Sequence, residues 1–222
     1  MNSIEPLLEA FAQEVRDGEE MPIDRQVYAD AGLDWWHPIL LGSGDLSARI
    51  GFFGRDPGRN EVYAQEPFIG KAGQHIRGGL HRAVYGVELP NIEASLAVGS
   101  RVFWGNTVPY KPIGNKAWSM KVKRRFAGIV TDVLTKHWEG SELITCGREA
   151  FLWFGIADVD LKPAIEAHWK RIDRFETSIS IELRGKSINL HPLPHPSPLN
   201  ARWYKLFPGM LDNRLKSLAW TG

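Results

Sequence analysis

The sequence predicts an α/β fold: a single domain in which a central, mostly parallel four-stranded sheet lies between helical layers. Three observations predict it. Four short apolar runs, Ala48–Gly54 (ARIGFFG), Arg101–Asn106 (RVFWGN), Ser141–Cys146 (SELITC) and Ser187–Leu190 (SINL), have the length and residue types of buried strands. Helical periodicity falls between these runs, the pattern of strands joined by crossover helices. No internal repeat, low-complexity tract or second boundary divides the 222 residues, a length that suits one core.

Taken in order, Ile4, Leu7, Leu8, Phe11 and Val15 recur at helical spacing, so residues 3–17 read as an amphipathic helix with an acidic outer face. A polar connection leads to Trp35-Trp36, where the body of the domain begins. After the first strand, Gln74–Val84 reads as a helix weakened by Gly78-Gly79. The second strand is followed by a loop punctuated by Pro and Gly, TVPYKPIGNKAW. Ser119 is placed to cap a helix with Val122, Phe126, Ile129, Val130, Val133 and Leu134 on one face. Beyond the third strand, Gly147 turns into a helix carrying Ala150, Phe151 and Phe154. Residues 172–184 alternate as an added strand or hairpin would. The closing helix holds Trp203, Leu206 and Phe207, then Leu211, Leu215 and Leu218 beyond Pro208.

Composition excludes several classes. A single cysteine, Cys146, rules out an internal disulfide and any all-cysteine metal or iron–sulfur site. No apolar run reaches membrane-spanning length and no signal pattern opens the chain, so a cytoplasmic protein is expected. The net charge of +1 conceals an asymmetry. Residues 1–34 hold nine acids against Arg16 and Arg25, net −7, and the remainder carries 25 basic and 17 acidic residues, net +8. Seven basic residues and no acid lie between Arg101 and Arg125. A basic body suits a polyanionic partner.

In a parallel sheet the site lies outside the carboxyl ends of the strands. Asp56, Asn106 and His195 each follow a predicted strand, which places a carboxylate, an amide and an imidazole on one edge. Taken singly, each has a plainer reading: an Asp before Pro-Gly shapes a turn, and a strand-ending Asn bonds its own loop. No HxH or paired-acid spacing accompanies Asp56 or His195, which argues against a metal-dependent hydrolase. The first strand–helix turn lacks the GxGxxG of a dinucleotide-binding oxidoreductase.

Gly54-Arg55-Asp56-Pro57-Gly58, Glu66-Pro67-Phe68-Ile69-Gly70-Lys71-Ala72-Gly73 and His195-Pro196-Ser197-Pro198-Leu199 together resemble the two signature motifs of the uracil-DNA glycosylase superfamily. The resemblance spans residues 50 to 205. PFIGKAG is similar to the branch that carries an iron–sulfur cluster, whose cysteines are absent here. Asp56 and HPSPL are closer to the best-known uracil-DNA glycosylases, whose first motif is GQDPYH. Where those enzymes carry the tyrosine that excludes the thymine methyl, this chain has Gly58.

The resemblance implies hydrolysis of the bond between deoxyribose C1′ and a flipped-out base, without cofactor or metal, by a monomer acting on uracil-containing DNA. Asp56 then orients the attacking water and stabilises the positive sugar, and His195 donates to the base O2 as charge builds there. His191 is a rival or a supporting partner. The Asn106 amide matches uracil O4 and N3–H. Phe68 is a stacking floor, and Gly54, Arg55 and Gly58 line the substrate pocket. Leu199 wedges into the gap left by the base, while Ser197 and Pro198 shape a phosphate-holding loop. Lys111 and Lys116, with Lys121, Lys123, Arg124 and Arg125, supply a phosphate footprint. Two alternatives share this fold: a DNA-binding protein that holds uracil without turnover or covalently, and a glycosylase for another deaminated base such as hypoxanthine.

Overall fold

The computed structural model describes residues 4–17, 21–36, 38 and 41–222. Ser3, at the start of the expected first helix, and Glu19 and Glu20 of the acidic segment lie outside the described residues. The elements run α1 (Glu5–Asp17), α2 (Arg25–Asp30), β1 (Ser43–Gly44), β2 (Ile50–Gly54), α3 (Arg59–Ala64), α4 (Lys71–Tyr85), α5 (Ile92–Gly99), β3 (Phe103–Asn106), α6 (Met120–Asp132), β4 (Glu142–Cys146), α7 (Arg148–Leu152), α8 (Phe154–Ala157), α9 (Lys162–Lys170), β5 (Ile179–Leu183), β6 (Lys186–Leu193), α10 (Ala201–Tyr204) and α11 (Phe207–Ser217). A π turn, Val133–His137, extends α6.

The six strands form one sheet in the order β1-β3-β2-β4-β6-β5. The four central strands, β3, β2, β4 and β6, are those expected from sequence and are mutually parallel. The expectation of a four-stranded sheet needs correction: antiparallel β1 and β5 close the two edges. β1 is two residues long, too short for a periodic signal. β5 corresponds to the alternating segment 172–184 and pairs with β6 across a tight turn. Pairing both edges covers backbone groups that a bare parallel sheet would leave open.

Alternation along β2 shows how the strands divide the core. Ile50 and Phe52 join a cluster with Ile76, Leu80, Leu211 and Leu215, contributed by α4 and α11. Phe53 faces the other way, into a cluster with Phe126, Val130, Phe151 and Ile165, contributed by α6, α7 and α9. Each face of the sheet therefore has its own buried apolar layer, as a period-two pattern in a doubly covered sheet requires. On the second face Phe11 of α1 packs edge-on against Phe126, with ring centroids 5.2 Å apart.

The helix expected at Gln74–Val84 is present as α4 (Lys71–Tyr85), whereas the expected closing helix is split. α4 runs unbroken through Gly78-Gly79, because a Cβ on Gly79 would stand 2.5 Å from the Leu211 side chain of α11. The close approach of two helices outweighs the low helix propensity of glycine. The expected closing helix is divided into α10 and α11, with Pro208 in the first turn of the second. Ser119 caps α6 as expected: its hydroxyl accepts the Val122 N–H at 3.3 Å.

Candidate active site

Parallel β2, β3 and β6 all end on one edge of the sheet, and so does β4. Beyond that edge is a cavity of about 690 Å³. Gly54, Arg55, Asp56, Gly58 and Phe68 line it from the first motif, Asn106 from the end of β3, and His195, Ser197, Pro198 and Leu199 from the last loop. These ten residues, all singled out in the sequence, are thus gathered around one space.

The basic residues of the expected phosphate footprint lie elsewhere. Lys116 is exposed, on the loop after β3. Lys111 is only 4% exposed, and its ammonium lies 3.5 Å from the Asp24 carboxylate. It does not stand at the surface as a phosphate footprint requires. Lys123 is likewise turned inward onto Glu149 of α7. Of the six basic residues from Lys111 to Arg125, Lys116, Lys121 and Arg124 are exposed.

Backbone bonds fix the first loop. The Gly54 carbonyl accepts the Thr107 N–H at 2.9 Å, and the Arg55 carbonyl accepts the Val108 N–H at 3.2 Å. Asp56 is held beneath the Arg55 guanidinium, with Nε 2.5 Å from Oδ1 and Nη2 3.2 Å from Oδ2. Burial pushes the Asp56 carboxyl above the usual carboxylate range, while Arg55 and, at longer range, Lys111 and Lys123 pull it back. Burial and the nearby Arg55 charge hold the His195 imidazole below its ordinary value, so it is neutral at pH 7. The pocket thus brings together a desolvated carboxylate and a neutral imidazole.

The floor is aromatic. Phe68 stacks on Trp104 at 4.9 Å between centroids, and Trp104 stacks on Phe52 at 5.2 Å. Gly54 leaves room for this floor, since a Cβ there would meet Phe68 Cζ at 2.6 Å and Asn106 Oδ1 at 2.9 Å. Phe68 has φ of +51°, a left-handed conformation that costs a non-glycine residue energy.

Arg77, which sequence reasoning missed, holds this conformation. It is fully buried in α4. Its guanidinium donates to the carbonyls of Pro67 at 2.6 Å, Phe68 at 3.1 Å and Ser95 at 2.7 Å, and pairs with Glu66 at 2.6 Å. Five donors in a planar fork suit such convergent acceptors, and a lysine could not replace them. No spacing rule flags a buried arginine inside a helix.

Glu61 was also missed. Its carboxylate accepts the Gly70 N–H at 3.0 Å. It lies against Gly58, where a Cβ would stand 2.4 Å from Oε2. Glu61 and Gly58 therefore share one wall of the cavity, and a side chain at Gly58 would displace the carboxylate.

His191 lies away from the cavity, within β6. Its Nε2 is 2.6 Å from Glu142 Oε2 and its Nδ1 is 2.7 Å from Ser178 Oγ. The Ser178 hydroxyl in turn accepts from Arg214 at 3.0 Å. This chain ties β4, β6 and α11 together, with His191 as a member of the sheet's polar network.

In the last loop, the Ser197 hydroxyl accepts the Leu199 N–H at 3.3 Å and the Asn200 amide donates to the His195 carbonyl at 3.1 Å. Leu199 stands 97% exposed at the rim. Cys146 also lines the cavity, and burial pushes its thiol up to about 12, which keeps it protonated and inert. Among the described residues no cluster of three or more His, Cys, Asp and Glu side chains could hold a metal ion. No helix among them is long and apolar enough to cross a membrane.

A family model described as the uracil DNA glycosylase superfamily matches residues 41–219. The chain belongs to that superfamily. The match runs from ahead of β2 to the end of α11, so it contains every residue that lines the cavity. Superfamily membership supports a DNA glycosylase, with DNA as the partner. A search of curated proteins found no match.

Proposed function

We propose that this protein hydrolyses the N-glycosidic bond of uracil in DNA, after flipping the nucleotide into the cavity, as the first step of base excision repair. The observation that carries the reading is that Asp56 and His195, from opposite ends of the chain, line one cavity with Phe68 and Asn106. A flipped base stacks on Phe68 and presents its polar edge to the Asn106 amide, which both donates and accepts. Asp56 orients a water and takes its proton as the oxygen bonds to C1′, and its charge stabilises the cationic sugar. The bond from C1′ to N1 breaks with its electron pair going to the pyrimidine. Neutral His195 donates a hydrogen bond to the anion that forms, a contribution of about 10²–10³ in rate for one such donor. Leu199, exposed at the rim, fills the space that the base vacates, and the Ser197–Pro198 turn presents the loop to the backbone. Lys116, Lys121 and Arg124 add phosphate contacts, and the buried Lys111 supports the field around Asp56.

The test is incubation with a uracil-containing oligonucleotide followed by alkali, in EDTA. Scission is expected with the wild type. It should fall about 10²-fold or more in His195→Ala and by a similar factor in Asp56→Asn, both folded by circular dichroism. Wild-type rates in both variants, or a protein–DNA adduct that survives denaturing gels, would overturn the reading.

A further inference from the structure

Arg55 and Asp56 are sequence neighbours whose side chains close on each other inside the cavity. The two contacts, 2.5 Å and 3.2 Å, engage both carboxylate oxygens. The Asp56 side chain is 4% exposed and that of Arg55 31%. The guanidinium is itself anchored, because Nη2 reaches the Asn115 carbonyl at 3.3 Å and the Arg55 carbonyl is held by Thr107 Oγ1 at 2.5 Å. Two donors leave further lone-pair positions on the carboxylate, so a water can still bind.

Other charged groups face the same space. Lys111, from the loop after β3, and Lys123, from α6, act on Asp56 through space, but each is engaged by its own carboxylate, Asp24 and Glu149. Glu61 of α3, Lys71 of α4, Arg148 and Glu149 of α7 and His195 of the last loop also line the cavity. Among the described residues, the cation in direct contact with Asp56 is Arg55.

We infer that Arg55 is a positioning residue for the reaction: its two-point grip holds the Asp56 carboxylate charged and in one orientation inside the pocket. The inference rests on Asp56 acting on water, as proposed above. A carboxylate removed from water takes up a proton unless a cation or donors compensate. Arg55 provides both from within the same loop, so the base is prepared before DNA arrives.

Single-turnover excision at saturating enzyme, measured from pH 5 to pH 10, tests this for wild type, Arg55→Gln, Arg55→Lys and Asp56→Asn. In Arg55→Gln the acidic limb should move upward by about one pH unit or more, giving a loss of about tenfold on the limb and under about threefold on the plateau. Arg55→Lys keeps the charge without the fork and should fall between. Carbon NMR of the Asp56 carboxyl should show the same upward shift with no DNA present. Parallel pH profiles and an unshifted carboxyl titration, with Asp56→Asn inactive, would overturn the inference alone. A wild-type rate in Asp56→Asn would overturn both the role of Asp56 and the inference built on it.

Discussion

Gly147 and His195 touch across two loops: a Cβ built on Gly147 would stand 2.9 Å from the His195 Cβ. Gly147 follows β4 directly, with φ of +95° and ψ of 170°, a region open essentially to glycine. Its N–H donates to the Leu193 carbonyl at 2.8 Å, which joins the ends of β4 and β6 just before the imidazole. Gly147→Ala should lower excision by about 10–100-fold through displacement of His195, and cost about 1–3 kcal/mol of stability. Single-turnover rates and urea unfolding would measure the two effects. A normal rate in a destabilised variant would show that the contact does not position the loop.

Arg77 is the support of the stacking floor. Arg77→Ala would strip donors from the carbonyls of Pro67, Phe68 and Ser95 and leave Glu66 without its buried partner. A loss of about 3–5 kcal/mol is expected, read from the urea midpoint. Because Phe68 sits at positive φ, the loop should also relax, weakening binding of uracil-containing DNA. An unchanged midpoint would rule out this supporting role.

Glu61 holds the wall over Gly70 and over Gly58, the latter being the position where the resembled enzymes carry a tyrosine. If that wall limits the size of the base, Glu61→Ala should raise excision of mismatched thymine relative to uracil by about 10-fold or more, the scale on which one methyl group is discriminated. Parallel assays on thymine, hypoxanthine and uracil oligonucleotides would show it. An unaltered ratio would place base selection elsewhere in the pocket.

Stability should fall on acidification. His75, His168, His191 and His195 are all held below the ordinary histidine value, with burial the leading cause in each. Their unfolded forms take a proton near pH 6.5, whereas the folded forms resist it. The unfolded state therefore binds more protons as pH falls through 6.5, and folding weakens from there downward. The urea midpoint should be lower at pH 5.5 than at pH 7.5. His191→Gln should flatten that slope, since this imidazole is wedged between Glu142 and Ser178. A midpoint that rises on acidification would contradict the assignment.

Adjacent glycines in α4 should respond in opposite directions. A Cβ on Gly78 meets only the tip of Arg82, at 3.7 Å, so Gly78→Ala should stabilise by about 0.5–1 kcal/mol. Gly79→Ala would collide with Leu211 and should destabilise. Thermal unfolding of the two variants would reveal the difference in sign.

The four central strands were legible because each is a short apolar run, and burial on both faces leaves that mark in composition. Asp56, Asn106 and His195 could be placed on one edge because parallel strands all end on the same side. The short helices α2, α3, α5 and α9 were not read, since helices of so few residues carry too few periodic positions to stand out.

By itself, then, the chain determined which loops meet, because strand direction and apolar patterning are local properties written along the backbone. Only the tertiary structure decided which charges are inside. Lys111 and Lys123 read as surface cations, yet they turn inward to Asp24 and Glu149. Arg77 reads as an ordinary helix residue and Glu61 as part of a polar loop, yet they hold the floor and wall of the cavity. A long charged side chain takes its environment from whichever carbonyl or carboxylate the fold brings within reach, and those partners lie on other segments of the chain.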